Sequence, residues 1–188
     1  MKQPRPLGRA QVVRALLDAG ASMLAEKGPN ELSVRGVAER AGVNHGLVHR
    51  HFGTKQGFVR AIVDDLADQL HAARARGEPI EGLKSLTDSQ YIRVLARCLL
   101  DGMDMPSIQT RFPVMRELRE QFDAMYERGE LRSDATARVL LAMTVALGMG
   151  WILFEPFLMS SIETDEKEYD AIRSQATLLW NQMMRASD

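Results

Sequence analysis

At 188 residues the chain is long enough for one domain, or for a small module joined to a larger one, and too short for a repeat array or a multi-enzyme chain. Hydrophobic residues make up 45% and charged residues 26%, as in globular proteins, while a single cysteine (Cys98) and the lack of an apolar leader exclude a disulfide scaffold and a secretory signal and indicate a cytoplasmic protein. The net charge of −1 is unevenly distributed, because residues 1–60 carry a net charge of +6 and residues 61–188 a net charge of −7, so either the first part binds a polyanion or the charges cluster by chance.

Hydrophobic residues recur at helical spacing along almost the whole chain, and no alternating run typical of a strand occurs. Four helices are predicted in the first 77 residues, over residues 9–28, 34–41, 45–51 and about 55–76. The first ends at Gly28-Pro29, and the next two begin after the N-cap residues Ser33 and Asn44. Gly42 can adopt the left-handed conformation that turns the chain sharply between the second and third helices.

A linker is expected over residues 77–87, which are rich in glycine, proline and charge. Four further helices are predicted at about 88–103, at about 113–128, from Ser133 or Asp134 onward, and at about 165–186. The third of these contains 16 uncharged residues, 139–154, before Glu155-Pro156 interrupts it. Because about 20 residues are needed to span a membrane, this run is expected to be a buried core helix.

The second and third helices have the features of a DNA-binding helix-turn-helix. Ala38 and Gly42 are small where two helices must approach closely at a turn, and four apolar residues can pack inside: Val37, Val43, Val48 and Phe52. The outward faces of the third helix then carry His45, Gly46, Leu47, His49 and Arg50. Its positive N-terminus, capped by Asn44, can face phosphates or base edges in the major groove.

Residues 32–43 (LSVRGVAERAGV) and 45–55 (HGLVHRHFGTK) closely resemble the DNA-binding domain of the TetR family of transcriptional regulators. The preceding helix fits the family's first helix, so the resemblance covers about the first 60 residues. It implies an all-α protein with a helix-turn-helix DNA-binding domain over residues 1–54. A long helix would join it to a helical effector-binding and dimerisation domain over residues 55–188.

The resemblance implies DNA contacts from eight residues: Arg35, Asn44, His45, Gly46, Leu47, His49, Arg50 and Lys55. The family usually has Tyr at the position of His49, where it touches the phosphate backbone; His can also donate a hydrogen bond but offers less area for stacking. His45 and His49 suggest that DNA affinity depends on pH, because protonation adds positive charge at the groove. Gly57 is an unusual residue in the first turn of a helix and is expected to weaken its start.

A symmetric operator requires a symmetric protein, and two later helices carry stripes suited to pairing. Small residues recur every four positions in the uncharged helix, and apolar residues form a stripe on the last helix: Ala142, Ala146, Gly150, Ile172, Ala176, Leu179 and Met183. Two helices from each subunit would form a four-helix interface, as the resemblance also implies. The alternative is that both stripes belong to the core of the monomer.

Nine of the 11 methionines follow residue 100, and with nearby aromatic residues they suit an adaptable apolar cavity. Candidate ligand-binding residues are Met103, Phe112, Met115, Phe122, Met125, Met149, Trp151 and Phe154. An ordinary core is the alternative at each position. The resemblance favours a pocket, because the second domain of these regulators commonly binds a small molecule that changes the spacing of the DNA-binding domains.

The sequence therefore predicts a homodimeric, ligand-responsive repressor, released from an inverted-repeat operator in double-stranded DNA by a small apolar or amphipathic effector. The alternative is a structural chromosome-binding dimer that recruits a protein partner and senses no ligand. An enzyme is not expected, since the sequence contains neither a glycine-rich phosphate loop nor a nucleophile beside a base at recognisable spacing. No metal, cofactor or membrane is predicted as a partner.

Overall fold

The computed structural model describes residues 8–76 and 89–186, which are almost entirely helical, as predicted. Its helices are α1 (Arg9–Glu31), α2 (Val34–Ala41), α3 (Gly46–Phe52), α4 (Lys55–Ala75), α5 (Gln90–Leu100), α6 (Met105–Ile108), α7 (Pro113–Glu127), α8 (Ala137–Ser161) and α9 (Tyr169–Met184). Within the described residues, strand pairing is limited to one bridge between Leu131 and Arg185. The predicted linker over residues 77–87 lies outside the described residues.

The described residues form two compact units, one comprising residues 8–70 and 93–112, and the other residues 71–76, 89–92 and 113–186. In the first unit, Leu16, Leu24 and Phe58 are completely buried. In the second, a cluster forms around Leu131 and Met184. The first unit extends beyond the predicted residues 1–54, since it also includes the first part of α4 and residues 93–112; the functional boundary after residue 54 stays a prediction.

The first helix breaks at Gly28 and resumes for one turn, so the predicted end at Gly28-Pro29 is a kink and not a terminus. Gly28 has a φ of 78°, which interrupts the helix, and Pro29 then opens the short turn that reaches Glu31. A Cβ at Gly28 would overlap the carboxylate of Asp101 and crowd Arg97. The left-handed φ therefore favours glycine at the kink, where side chains from the end of α5 and from Asp101 lie close to the backbone.

Two predicted boundaries of α8 are wrong. The helix begins at Ala137, because Oγ1 of Thr136, and not the side chain of Ser133 or Asp134, caps it by accepting a hydrogen bond from Val139 N at 3.4 Å. It also continues through Glu155-Pro156 to Ser161. Proline lacks a backbone N–H and so removes one hydrogen bond of the helix, which continues past it.

The prediction of a buried core helix is also wrong for α8. Its buried residues all lie on one face: Ala137, Leu140, Leu141, Gly148, Glu155 and Met159. The opposite face is apolar and exposed, with Val139 48%, Met143 51% and Phe157 69% accessible to solvent. Residues 139–154 are uncharged on both faces of the helix, so this run could not indicate that only one face packs within the chain.

Candidate DNA-binding surface

The α2–turn–α3 unit forms as its local signals predict. Ser33 Oγ accepts a hydrogen bond from Gly36 N at 3.0 Å and caps α2. Gly42 ends α2 with a φ of 69°, and Val43 N then donates to Ala38 O at 2.9 Å. Val37, Ala38 and Val48 are buried as predicted, whereas Val43 and Phe52 are half-buried. The turn thus fixes the direction in which α3 leaves α2.

An ion pair between Arg40 and Glu26 joins α2 to α1. Arg40 places Nη1 2.9 Å from Glu26 Oε1 and Nη2 3.0 Å from Glu26 Oε2, and it also donates to Ser22 Oγ at 3.0 Å. These charge-assisted hydrogen bonds lower the pKa of Glu26 to about 2. Sequence reasoning missed this pair, because its members lie 14 residues apart on different helices.

At the start of α3, Asn44 caps the helix with its side chain. Its Oδ1 accepts from Gly46 N at 2.8 Å, and its amide nitrogen is the hydrogen-bond donor of the side chain. His45 and Gly46 are exposed, and Leu47 is half-buried. The N-terminal end of α3, where the helix dipole is positive, therefore carries an exposed polar side chain, His45, and a half-buried apolar one, Leu47.

The end of α3 is closed by reciprocal hydrogen bonds between His49 and Gly53. Gly53 N donates to the His49 carbonyl oxygen at 2.9 Å, and His49 Nδ1 lies 2.9 Å from the Gly53 carbonyl oxygen. His51 instead packs edge-on against Phe52, with ring centroids 6.2 Å apart. The structure therefore separates an exposed His49 from a half-buried His51.

The first turn of α4 lies close beneath the end of α3. Thr54 Oγ1 accepts from Gly57 N at 2.9 Å, and a Cβ at Gly57 would stand 2.5 Å from the Phe52 carbonyl oxygen. Gly57 is therefore required for this close approach, and its effect on helix propensity is secondary. Lys55 Nζ lies 3.5 Å from the Asn30 carbonyl oxygen, which holds it beside the helix-turn-helix.

Seven of the eight predicted DNA contacts are exposed, and Leu47 is half-buried. Arg35, Arg50 and Lys55 supply the positive charge of this surface, with Arg35 Nε 3.2 Å from Glu39 Oε1. Exposed cations beside an uncharged helix tip are the pattern expected of a surface that contacts phosphates and base edges. That these particular residues contact DNA stays a prediction.

The predicted dimer residues are accessible within the single chain. Ala142 and Ala146 are exposed on α8, Leu179 and Met183 are 61% and 60% exposed on α9, and three residues are half-buried: Gly150, Ile172 and Ala176. Neither stripe is fully buried within the single chain. Both remain available for a partner helix.

The predicted ligand-binding residues occupy several environments. Phe122 and Met125 pack against the Leu131 cluster, Phe112 and Phe154 are exposed, and four are half-buried: Met103, Met115, Met149 and Trp151. Met103 and Phe112 belong to the first unit and the other six to the second. A ligand site formed by these residues stays a prediction.

The comparisons place the chain among bacterial regulators. Residues 16–62 match the model of the family described as bacterial regulatory proteins, tetR family. The chain is 40% identical over 172 residues to the HTH-type transcriptional repressor Rv3405c of Mycobacterium tuberculosis, covering 92% of this chain and 88% of that protein. It is 26% identical over 178 residues to the HTH-type transcriptional repressor KstR2 of Rhodococcus jostii, covering 84% and 86%.

The fold extends this likeness to the C-terminal helices. The fatty acid degradation regulator FadR of Bacillus halodurans superposes with a TM-score of 0.65 at 16% identity, covering 92% of this chain and 99% of that one. The relatives are regulators and not enzymes, in agreement with the prediction. With a helix-turn-helix that matches the family model and a repressor relative that matches almost the whole chain, this protein belongs to the TetR family of transcriptional regulators.

Proposed function

We propose that the protein is a cytoplasmic, homodimeric repressor that binds an inverted-repeat operator and leaves it when a small apolar or amphipathic effector binds. The exposed, cationic face of the helix-turn-helix carries this proposal. Each subunit inserts α3 into the major groove, where the side chains of His45, Leu47 and Arg50 meet base edges. Arg35, His49 and Lys55 contact phosphates, and Asn44 and Gly46 allow the helix tip to approach the DNA.

A second copy of the chain covers the exposed stripes of α8 and α9. Monomeric proteins seldom leave contiguous apolar faces of this kind in water. Burying a Phe, Leu or Met side chain stabilises an assembly by about 1.5–3 kcal/mol, so a few of these residues are enough to drive pairing. The alanines and glycine of α8 allow the partner helix to approach closely, and regulators of this family typically act as dimers.

By length and composition alone, α8 is long and apolar enough to cross a membrane. A partner subunit explains the face better than a bilayer does. Glu155 lies about two turns before the end of the helix and pairs with Arg173 of α9, so a membrane span that includes it would carry this ion pair into the lipid.

The effector is proposed to bind among the half-buried methionines and Trp151 of α7 and α8, where flexible and aromatic side chains can adapt to an apolar molecule. A coupling of about 1–3 kcal/mol between this site and the DNA-binding surface changes operator affinity several-fold to a hundredfold. Small-molecule effectors are typical of the family.

The first experiment mixes the purified protein with fragmented DNA of its source genome at physiological salt and sequences the bound fragments. A few sites that share an inverted repeat are expected, and the neighbouring genes then suggest compounds to test for release. Binding at many scattered sites would instead indicate a chromosome-organising dimer that recruits another protein. No enrichment at any salt concentration would contradict the DNA-binding role itself.

Sedimentation tests the dimer separately. Ala146→Glu and Leu179→Glu place a charge in each stripe and are expected to convert a micromolar dimer into a folded monomer. Asn181→Glu is the matched control, because Asn181 is exposed on the face of α9 opposite the stripe. A wild-type monomer at micromolar concentration would contradict the proposed interface.

A further inference from the structure

The hydrogen bond from His49 to Gly53 determines which ring nitrogen of His49 carries the proton. Nδ1 lies 2.9 Å from the Gly53 carbonyl oxygen, and a carbonyl oxygen can only accept. Nδ1 therefore carries hydrogen in the neutral ring, and Nε2 has a lone pair instead. In this form the outer nitrogen of His49 is an acceptor, as are the oxygens of a DNA phosphate.

The backbone of Gly53 holds this carbonyl in place. Gly53 ends α3 with a φ of 71° and a ψ of −89°, a left-handed φ that glycine adopts without strain. Its own N–H is bonded to the His49 carbonyl oxygen at 2.9 Å, so two hydrogen bonds in opposite directions join the same two residues. If the ring hydrogen moved from Nδ1 to Nε2, the hydrogen bond to the Gly53 carbonyl oxygen would be lost.

The charged groups near His49 in these helices are mostly cations. Its own helix carries His45, Arg50 and His51 at or near its ends, and the first turn of α4 presents Lys55. The adjoining helix α2 carries Arg35, Glu39 and Arg40. Glu39 is the only carboxylate among these named residues, and it already pairs with Arg35.

We infer that His49 binds a DNA phosphate only as the imidazolium, so that each subunit takes up a proton from solvent at this ring when it binds DNA. The inference rests on the proposed role of His49 in the DNA-binding surface. Protonation converts Nε2 from an acceptor into a charged donor, while Nδ1 keeps its bond to Gly53. A tyrosine at this position donates its hydroxyl hydrogen at any physiological pH and has no such requirement.

The consequence has a definite sign. At a pH low enough to charge an ordinary imidazole, DNA binding needs no proton uptake. As the pH rises through about 5 to 8, the proton must be taken up on binding, and affinity falls by up to about tenfold per pH unit for each bound subunit. DNA binding is therefore strengthened in mildly acidic conditions through one identified side chain.

The test measures the affinity of the full-length dimer for a short random-sequence DNA duplex between about pH 6 and 8. Ionic strength is held constant and low, since phosphate contacts depend on salt. His49→Tyr is compared with wild type, and His71→Gln is the control, because His71 pairs with Glu117 on α7. Nitrogen NMR of the free wild-type protein at neutral pH identifies the protonated ring nitrogen independently of any variant.

The expected result is that wild-type affinity falls with rising pH, that His71→Gln behaves like wild type, and that His49→Tyr lowers the slope by about one proton per bound subunit. NMR should find hydrogen on Nδ1 of His49. An unchanged slope in His49→Tyr, or hydrogen on Nε2 in the neutral ring, would overturn the inference while leaving DNA binding intact. Failure of wild type to bind DNA at any pH would instead remove the proposed function on which it rests.

Discussion

Arg173 of α9 donates two parallel hydrogen bonds to Glu155 of α8, from Nε to Oε1 at 2.6 Å and from Nη2 to Oε2 at 2.7 Å. Trp151 Nε1 donates to the same carboxylate at 2.6 Å. Further along, Trp180 Nε1 lies 3.3 Å from Thr144 Oγ1, so the two helices run antiparallel in a register marked at two points. Polar contacts therefore align the two helices that carry the proposed dimer stripes.

Removing one member of this pair should destabilise the protein strongly. Both side chains are largely buried, and Arg173→Met leaves the Glu155 carboxylate without its cation, at a cost of about 3 kcal/mol. Urea unfolding followed by circular dichroism, at one fixed protein concentration, measures the loss. The double variant Glu155→Met/Arg173→Met should recover most of it, because an apolar pair leaves no buried charge.

The matched control is Glu130→Gln, which removes an ion pair with Arg128 in which both side chains are about half exposed. No measurable change is expected from it. An Arg173→Met variant as stable as wild type would mean that the pair does not hold α9 against α8.

The helix-turn-helix could be predicted almost to the residue because its signals are local. Ser33 caps α2, Gly42 ends it, and Asn44 caps α3 through groups two or three residues away. The continuation of α8 past Pro156 could not be predicted in this way. It occurs beside Glu155, whose partner Arg173 lies 18 residues further along the chain.

The exposure of the candidate surface could likewise be predicted from the sequence, whereas the interactions of its residues could not. The sequence placed His49 on the third helix and Gly57 in the first turn of the fourth. It could not indicate that His49 is bonded to the Gly53 carbonyl oxygen, or that Gly57 lies against the Phe52 carbonyl oxygen. Both facts depend on where backbone oxygens point at the junction of α3 and α4. The periodicity of side chains carries no information about that direction.

Gly57→Ala should destabilise the DNA-binding unit although alanine is the better helix former by about 1 kcal/mol. The new methyl group would stand 2.5 Å from the Phe52 carbonyl oxygen, so the end of α3 must move, at a net cost of about 1–3 kcal/mol. Thermal unfolding and DNA affinity should both decrease. Gln56→Ala, an exposed neighbour in the same turn, should leave both unchanged, and a stabilised Gly57→Ala would contradict the close approach.

The Glu26–Arg40 pair should make stability depend on acid pH. The pKa of Glu26 lies near 2 in the folded protein against an ordinary value of 4.5, so the stabilisation is complete above the ordinary pKa and is lost as the pH falls toward 2. Glu26→Gln should therefore melt below wild type at neutral pH, with a difference that closes below about pH 5.

Melting temperatures across this pH range, in dilute salt, measure the effect. Both side chains are substantially exposed, so added salt should reduce the difference. Glu31→Gln, which removes an exposed carboxylate from the same helix, is the control and should follow wild type. A difference between Glu26→Gln and wild type that stays constant down to pH 2 would show that the pair does not link folding to the Glu26 proton.

Arg50 and Lys55 should differ in what their loss does to DNA binding. Arg50 is exposed on α3, so Arg50→Ala should lose about 1–3 kcal/mol on the selected inverted repeat and discriminate less against changed bases. Lys55 begins α4 beside the Asn30 carbonyl oxygen, where a phosphate contact is expected. Lys55→Ala should weaken selected and random DNA alike and lower the salt dependence by about one charge per subunit. Titrations of both DNAs at several salt concentrations separate the two roles, and equal weakening of both DNAs by Arg50→Ala would assign that side chain to the backbone instead of the bases.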